Sequence, residues 1–422
     1  MRRLWRRQGP RELVCAGVRM RKIILLGVMA TAALPACAVR HLTVAQLEKT
    51  LGTSVEKHHS DSDMVREFGD FVLSERLTDA SRNRISESLH LGPRTTLALQ
   101  LLADESAPLD PPAAELPKDA PPDPAAAQRL LEAAGVYVAK TLPRLPDFLA
   151  TRTTFRFDDT PQVLRANEWP VSAGLHLVNN SSREVTFRDD HEAQTVKSGD
   201  GASVNGTRER GLHSWGEFGE MLALIFIDTE RGKIAFHHWE QSSGGVVAVY
   251  RYSVPKSASH YSVDYCCLED EVRASTRRGY GIAPRRVPSL AGDGQIVLGT
   301  PFHKIPGYHG SLFIDPETGV IRRITLEADM DDSPVSRVAT VVDYGPVVIG
   351  DRKFICPLRS LNLYLGPVQA GLPANEAPSA IPPPLQPKGT LYLNETSFTN
   401  YHRLGSEIHI LSSVESPPGS NP

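Results

Sequence analysis

Histidine, aspartate and cysteine are the residues of this chain best suited to chemistry, and their spacing limits what each group can do. His237-His238-Trp239-Glu240 is the densest group among fourteen histidines. On a regular strand His237 and His238 point to opposite faces, while His238 shares a face with Glu240. A metal centre there needs one or two more ligands, and neither HExxH nor HxH occurs. A solvent-facing strand edge is the expectation. His303 and His309 bracket the loop 304–308, where loop histidines are expected to be solvated. Glu327, Asp329, Asp331 and Asp332 form an acidic cluster whose hard oxygens would suit calcium. The spacing of a calcium loop is missing, so a solvated turn is expected. His213-Ser214-Trp215-Gly216 carries half of a nucleophile elbow, but Leu212 stands where the motif needs glycine. Gly199–Gly206 lacks the spacing of a phosphate-binding loop. No catalytic residue, cofactor or metal is expected from these patterns.

Cysteine usage depends on compartment, and Met20–Ala38 (MRKIILLGVMATAALPACA) indicates export. Arg21 and Lys22 make a positive head, 23–33 is an apolar run too short to span a bilayer, and small residues follow. Residues 1–38 are therefore expected to be an export signal with its start at Met20. Two processing readings stand: Cys37 is acylated after a lipobox at 34–37, or Ala36-Cys37-Ala38 is a cleavage site. The chain is expected outside the cytoplasm, in the periplasm or at the inner face of an outer membrane. Contact with a membrane would come only through a lipid anchor on Cys37. Among the three remaining cysteines, Cys266, Cys267 and Cys356, at most one bridge can form. One of the adjacent pair bridging to Cys356 is one reading; three reduced, buried thiols is the other.

The elements that must position these groups follow from the hydrophobic periods. The chain has 422 residues, 23% charged and 41% hydrophobic, with a net charge of -3. That balance is ordinary for a globular protein and gives no footprint for nucleic acid. Residues 39–106 read as a small helical module. Thr43 and Gln46 fit a capping box, Met64 to Val72 carries a helical period, and Thr78 or Asp79 caps the next helix. Residues 107–124 are proline-rich and read as an extended linker. A helix over 125–142 follows, and from Thr151 onward the period alternates. Strands then come in quick succession, with turns at 315–319, 345–346 and 349–353. Residues 366–387 read as a proline-rich loop, Glu407–Leu411 as a last strand, and 413–422 as a disordered tail. The fold class is α+β: over 125–412, a large curved antiparallel sheet, an incomplete barrel with covering helices, preceded by the helical module.

The run His309–Glu327 (HGSLFIDPETGVIRRITLE), then 341–345 (VVDYG) and 354–357 (FICP), resembles the C-terminal half of LolA-like periplasmic lipoprotein proteins and of MucB-type sigma-factor regulators. The resemblance covers 125–412 in pattern and is specific over 309–357. The chain also resembles secreted proteins of Acidobacteria-type bacteria. The resemblance implies an incomplete barrel closed by helices over an apolar cavity. The sheet residues that would wall such a cavity are Phe155, Phe157, Phe236, Val249, Phe313 and Leu363. The expected function is that of a non-enzymatic cell-envelope protein binding a lipid or acyl chain. Two alternatives are a structural or regulatory protein whose module at 43–105 docks an envelope partner, and a metal-dependent enzyme.

Overall fold

The computed structural model describes residues 40–161, 174–189, 191–195, 208–209, 211–269, 287–290, 296–331, 333–367 and 389–404. The export segment with Cys37, the end of the acidic cluster at Asp332, most of the loop 366–387, the strand expected at 407–411 and the tail lie outside them. Residues from Val39 onward form one compact unit.

The helical module builds its own core. Strand β1 (Arg40–Leu42) leads into α1 (Val44–Glu56), whose start is closed reciprocally. The Gln46 N–H donates to Thr43 Oγ1 at 3.2 Å and the Thr43 N–H donates to Gln46 Oε1 at 2.9 Å. Ser60 caps α2 (Asp61–Phe68), and Thr78 caps α3 (Asp79–Ser88). Pro93 opens α4 (Pro93–Glu105), where its missing N–H costs nothing. The helical period expected through Val72 stops at Gly69; Phe71–Leu73 is instead β2, paired in parallel with β1. Leu42, Leu47, Leu51, Met64, Phe68, Phe71, Ile85 and Leu99 fill the centre.

Helix α5 (Pro124–Thr141) follows, then β3 (Phe148–Asp158), β4 (His176–Arg188), β5 (His191–Thr195), β6 (Arg208–Glu209) and β7 (Gly211–His213). Helix α6 (Glu220–Thr229) precedes β8 (Lys233–Ser242), β9 (Gly245–Val254), β10 (Val263–Glu269), β11 (Val287–Leu290) and β12 (Ile296–Lys304). The chain continues through β13 (Tyr308–Ile314), β14 (Ile321–Ala328), β15 (Ser336–Ile349), β16 (Arg352–Gly366) and β17 (Thr390–Arg403). Ten strands make an antiparallel sheet in the order β5-β4-β3-β17-β16-β15-β14-β13-β9-β8, not closed into a barrel. A smaller sheet runs β6-β11-β12-β10-β7. The architecture is the expected α+β fold. No helix among the described residues is long and apolar enough to cross a membrane.

The turn expected at Gly345-Pro346 is absent. Strand β15 runs through it, and a register shift at Asp343/Tyr344 absorbs the proline, which pairs with Ile355. The turn at 315–319 forms as expected. Asp315 Oδ1 accepts from the N–H groups of Glu317 and Thr318, and Gly319 takes φ +70°. A Cβ on Gly319 would lie 2.9 Å from the Ala133 carbonyl, so this turn sits directly on α5.

Both faces of the large sheet are covered. Strand alternation puts Tyr250, Tyr252, Tyr308, Leu312, Ile324, Leu326, Val342, Tyr344 and Tyr364 on one face, against Ala134 and Val138 of α5 and Met221, Leu222 and Ile225 of α6. The other face carries Phe157, Val341, Leu361, Leu363 and Leu393, and the helical module covers it through Leu101 and Ala107. Charge crosses that second interface as well. Arg359 pairs with Asp104 of α4 at 2.8 Å and with Glu395 at 2.7 Å, Arg337 with Glu105 at 3.1 Å, and Arg76 with Glu240.

The proline-rich stretch is a fastened strap, not a loose spacer. The Ala107 carbonyl accepts from Arg323 at 3.0 Å, the Asp110 carbonyl from the Arg76 N–H at 2.7 Å, and the Ala120 carbonyl from Trp239 Nε1 at 2.9 Å. The Glu115 carboxylate accepts from the hydroxyls of Thr78 and Ser81, each at 2.6 Å.

A carboxylate at the edge of this interface gives stability a pH dependence. Burial pushes the Asp159 carboxyl up to about 6, with Asp158 and Glu105 adding repulsion against the opposing Leu391 N–H bond. A carboxyl raised on folding stabilises fully below its unfolded value near 4, and loses that contribution as pH rises through about 6. Asp159→Asn keeps an oxygen for Leu391 N–H and removes the charge. It is expected to raise stability at pH 7 by about 1 kcal/mol after allowance for partial exposure, and to change nothing at pH 4. Urea unfolding at the two pH values checks this.

Candidate functional site

The alternation of β3 that turns Phe155 and Phe157 to the module side turns Arg152, Thr154 and Arg156 to the opposite face. Register then decides their neighbours. Thr154 lies beside Ser181 of β4 and Thr396 of β17, Arg152 beside Arg183, and Arg156 beside Asn394. Strand β7 of the smaller sheet closes over this patch with Leu212 and His213, followed by Ser214. The result is a recess of about 60 Å³ lined by Arg152, Thr154, Arg156, Ser181, Arg183 and Asn394, among others, with no carboxylate in its lining. By volume it holds about four waters or one small anionic group.

Three local features build the recess. Strand β7 comes close because Gly211, at φ +113°, has no side chain; a Cβ there would stand 2.9 Å from the Tyr364 hydroxyl. Arg152 fixes the floor. Its Nη2 donates to Ser214 Oγ at 2.6 Å and pairs with the fully buried Glu217 at 3.2 Å, and its Nη1 pairs with Glu192 at 3.3 Å. The Thr154 and Thr396 hydroxyls meet at 3.0 Å. Arg152 is thus held in place in a site partly shut off from water, where charges are less screened. Sequence reasoning missed this group because the run 151–157 was read for its aromatic side alone. The signal was the other half of the same alternation, arginine at 152 and 156.

The six residues expected to wall an apolar cavity do not line this recess. Phe157, Val249, Phe313 and Leu363 are each at most 7% exposed. Phe155, Phe157 and Leu363 pack beneath the helical module. Val249 and Phe313 sit together with Val247, and the guanidinium groups of Arg76 and Arg323 lie over the Phe313 ring. Phe236 is on the other face, against Tyr250 and Trp239. Phe155 and Phe236 are half-buried.

The cysteines differ from both readings. Cys266 and Cys267 of β10 are bonded to each other, and Cys356 is free. No bridge reaches Cys356 because it lies in β16 within a separate cluster of Phe148, Val185, Phe187 and Phe218. Burial pushes its thiol up to about 12, which keeps it protonated and inert.

Histidines form ordinary acid pairs on the surface, His303 with Asp264 at 2.7 Å and His309 with Asp329 at 3.0 Å. His237 and His238 do not alternate as expected. A register shift between Phe236 and His238 brings their rings to 4.8 Å, on the side where Asp110 of the strap arrives.

No family model matches the sequence, and no curated protein matches it. Solved structures similar to the chain include a DUF1329 family protein from Desulfovibrio piger, with 7% identity over 67% of this chain and 94% of that one and a TM-score of 0.24. A LolA superfamily protein from Nitrosomonas europaea shows 8% identity over 68% and 97%, with a TM-score of 0.22. A domain named for outer membrane lipoprotein sorting, from Vibrio parahaemolyticus, shows 11% identity over 67% and 95%, with a TM-score of 0.21. Likeness at such scores carries no argument about the fold family or the function of this chain.

Proposed function

We propose that this protein is a non-enzymatic cell-envelope protein that binds a lipid or acyl chain by its anionic head group in the arginine-lined recess. The observation that carries the reading is the lining: Arg152, Arg156 and Arg183 with hydroxyl and amide groups, no carboxylate among the lining residues, and Arg152 balanced from behind by Glu192 and Glu217. Guanidinium forks and hydroxyls suit carboxylate and phosphate oxygens, and such charge-assisted bonds are the stronger kind. The export layout of Met20–Ala38 supports a site in the periplasm or at the inner face of an outer membrane. Because four of the six apolar wall residues are buried in packing, this reading puts recognition on the head group and not on the tail.

Thermal unfolding in phosphate against chloride at equal ionic strength tests the recess. Phosphate is expected to raise the midpoint in the wild-type chain, by the usual linkage of ligand to folded state. The rise should shrink in Arg156→Gln and persist in Arg94→Gln, a change at the helical module far from the recess. Equal midpoints in both salts for the wild-type chain would overturn the reading.

A further inference from the structure

We propose that Asp110, His237 and His238 form a binding site for a divalent transition cation, of the zinc type, which clips the proline-rich strap onto β8. The site is distinct from the recess and does not depend on the proposed function.

Three observations converge on it. Each of the three residues offers a donor atom, and these atoms all lie within 4.8 Å of one another; among the described residues no other trio of His, Cys, Asp and Glu does so. Donors around a tetrahedral zinc, with bonds near 2.0–2.1 Å, stand about 3.4 Å apart, so small rotations close the set. The His237 Nε2 to Asp110 Oδ2 distance is already 3.5 Å. The second observation is the register shift at Phe236/His238, an irregularity that places consecutive imidazoles on one side of a strand. The third is support for the inner ligand. His238 is 12% exposed, and its Nε2 lies 3.3 Å from Glu240 Oε2, a carboxylate held in turn by Arg76. Metal-bound imidazoles carry such an acceptor on the ring nitrogen that does not bind the metal.

Donor chemistry sets the cation class. Two imidazoles and one carboxylate suit zinc, cobalt, nickel or copper, and do not suit magnesium or calcium, which favour all-oxygen sites. His237 and Asp110 are partly exposed, so a hydrated ion can reach the site. Arg251 Nη2 holds Asp110 Oδ2 at 2.5 Å and so fixes the carboxylate beside His237, whose Nε2 lies 3.5 Å from the same oxygen. Asp110 belongs to the strap and the histidines to the sheet, so binding would add a metal bond between two segments otherwise joined by hydrogen bonds and ion pairs.

The test uses the mature chain stripped with a chelator, titrated with zinc by calorimetry and with cobalt by visible absorption. One equivalent of zinc is expected to bind, unaffected by millimolar magnesium. His237→Gln and His238→Gln are each expected to weaken binding by at least about tenfold. His237 is the more exposed, so its variant keeps the fold even where His238→Gln does not. Zinc is also expected to slow proteolytic cutting within 107–124 in the wild-type chain and not in His237→Gln. Equal zinc affinity in the wild-type chain and His237→Gln would overturn the proposal, as would a cobalt spectrum of purely octahedral, aqueous type.

Discussion

Leu101→Asp is expected to destabilise the whole chain by about 4 kcal/mol, the cost of placing a charge without a partner in a dry contact. Leu101 is 4% exposed and, though it belongs to α4, packs against Phe157, Val341, Leu361, Leu363 and Leu393 of the large sheet. Ala107 of the strap lies in the same cluster. If the helical module were a docking arm for an outside partner, the substitution would loosen the module and leave the sheet intact. Because the module is the lid of the sheet's own core, one unfolding transition is expected to shift, seen alike by tryptophan fluorescence and far-ultraviolet circular dichroism. A transition that splits, with the sheet melting at the wild-type midpoint, would contradict this reading.

Arg359→Ala is expected to cost about 3 kcal/mol, the lower end for breaking a buried pair, since the guanidinium is 29% exposed. Its two carboxylate partners come from different layers, Asp104 from α4 and Glu395 from β17. Burial already holds the Asp104 carboxyl above its ordinary range, even with Arg359 and Gln100 opposing. Without Arg359 it moves up further. A carboxyl raised on folding favours the folded state below its unfolded value near 4 and penalises it as pH rises through the folded value. The loss should therefore be largest at pH 7 and shrink toward pH 4. Urea unfolding of wild type and variant at both pH values measures it; a loss that is the same at both would contradict the account.

Legibility in the sequence followed the length and regularity of each element. Helices α1 and α3 could be placed from their caps at Thr43 and Thr78, because a cap is a local pattern of side chain and backbone. The two three-residue strands β1 and β2 carry no period long enough to read, and their parallel pairing is a tertiary event. The register shifts at Asp343/Tyr344 and Phe236/His238 escaped for a related reason. A bulge is fixed by partner strands, so Pro346 read as a turn and the two histidines as opposed. Composition marked 107–124 as extended, which it largely is, yet composition says nothing of Trp239, Arg323 or Arg76 waiting along its path. The recess needed three strands and β7 together. Only the arginine half of the β3 alternation was visible in advance, and Ser181, Asn394 and Thr396 join it through register alone.

The most direct test of the central claim is native mass spectrometry of the mature chain with sodium laurate and, in parallel, with the neutral glyceride of the same acyl chain. The account predicts a one-to-one complex with laurate, little or none with the glyceride, and loss of the laurate complex in Arg156→Gln. Equal uptake of the two, or laurate binding unchanged by Arg156→Gln, would show that the arginine-lined recess is not what the ligand recognises.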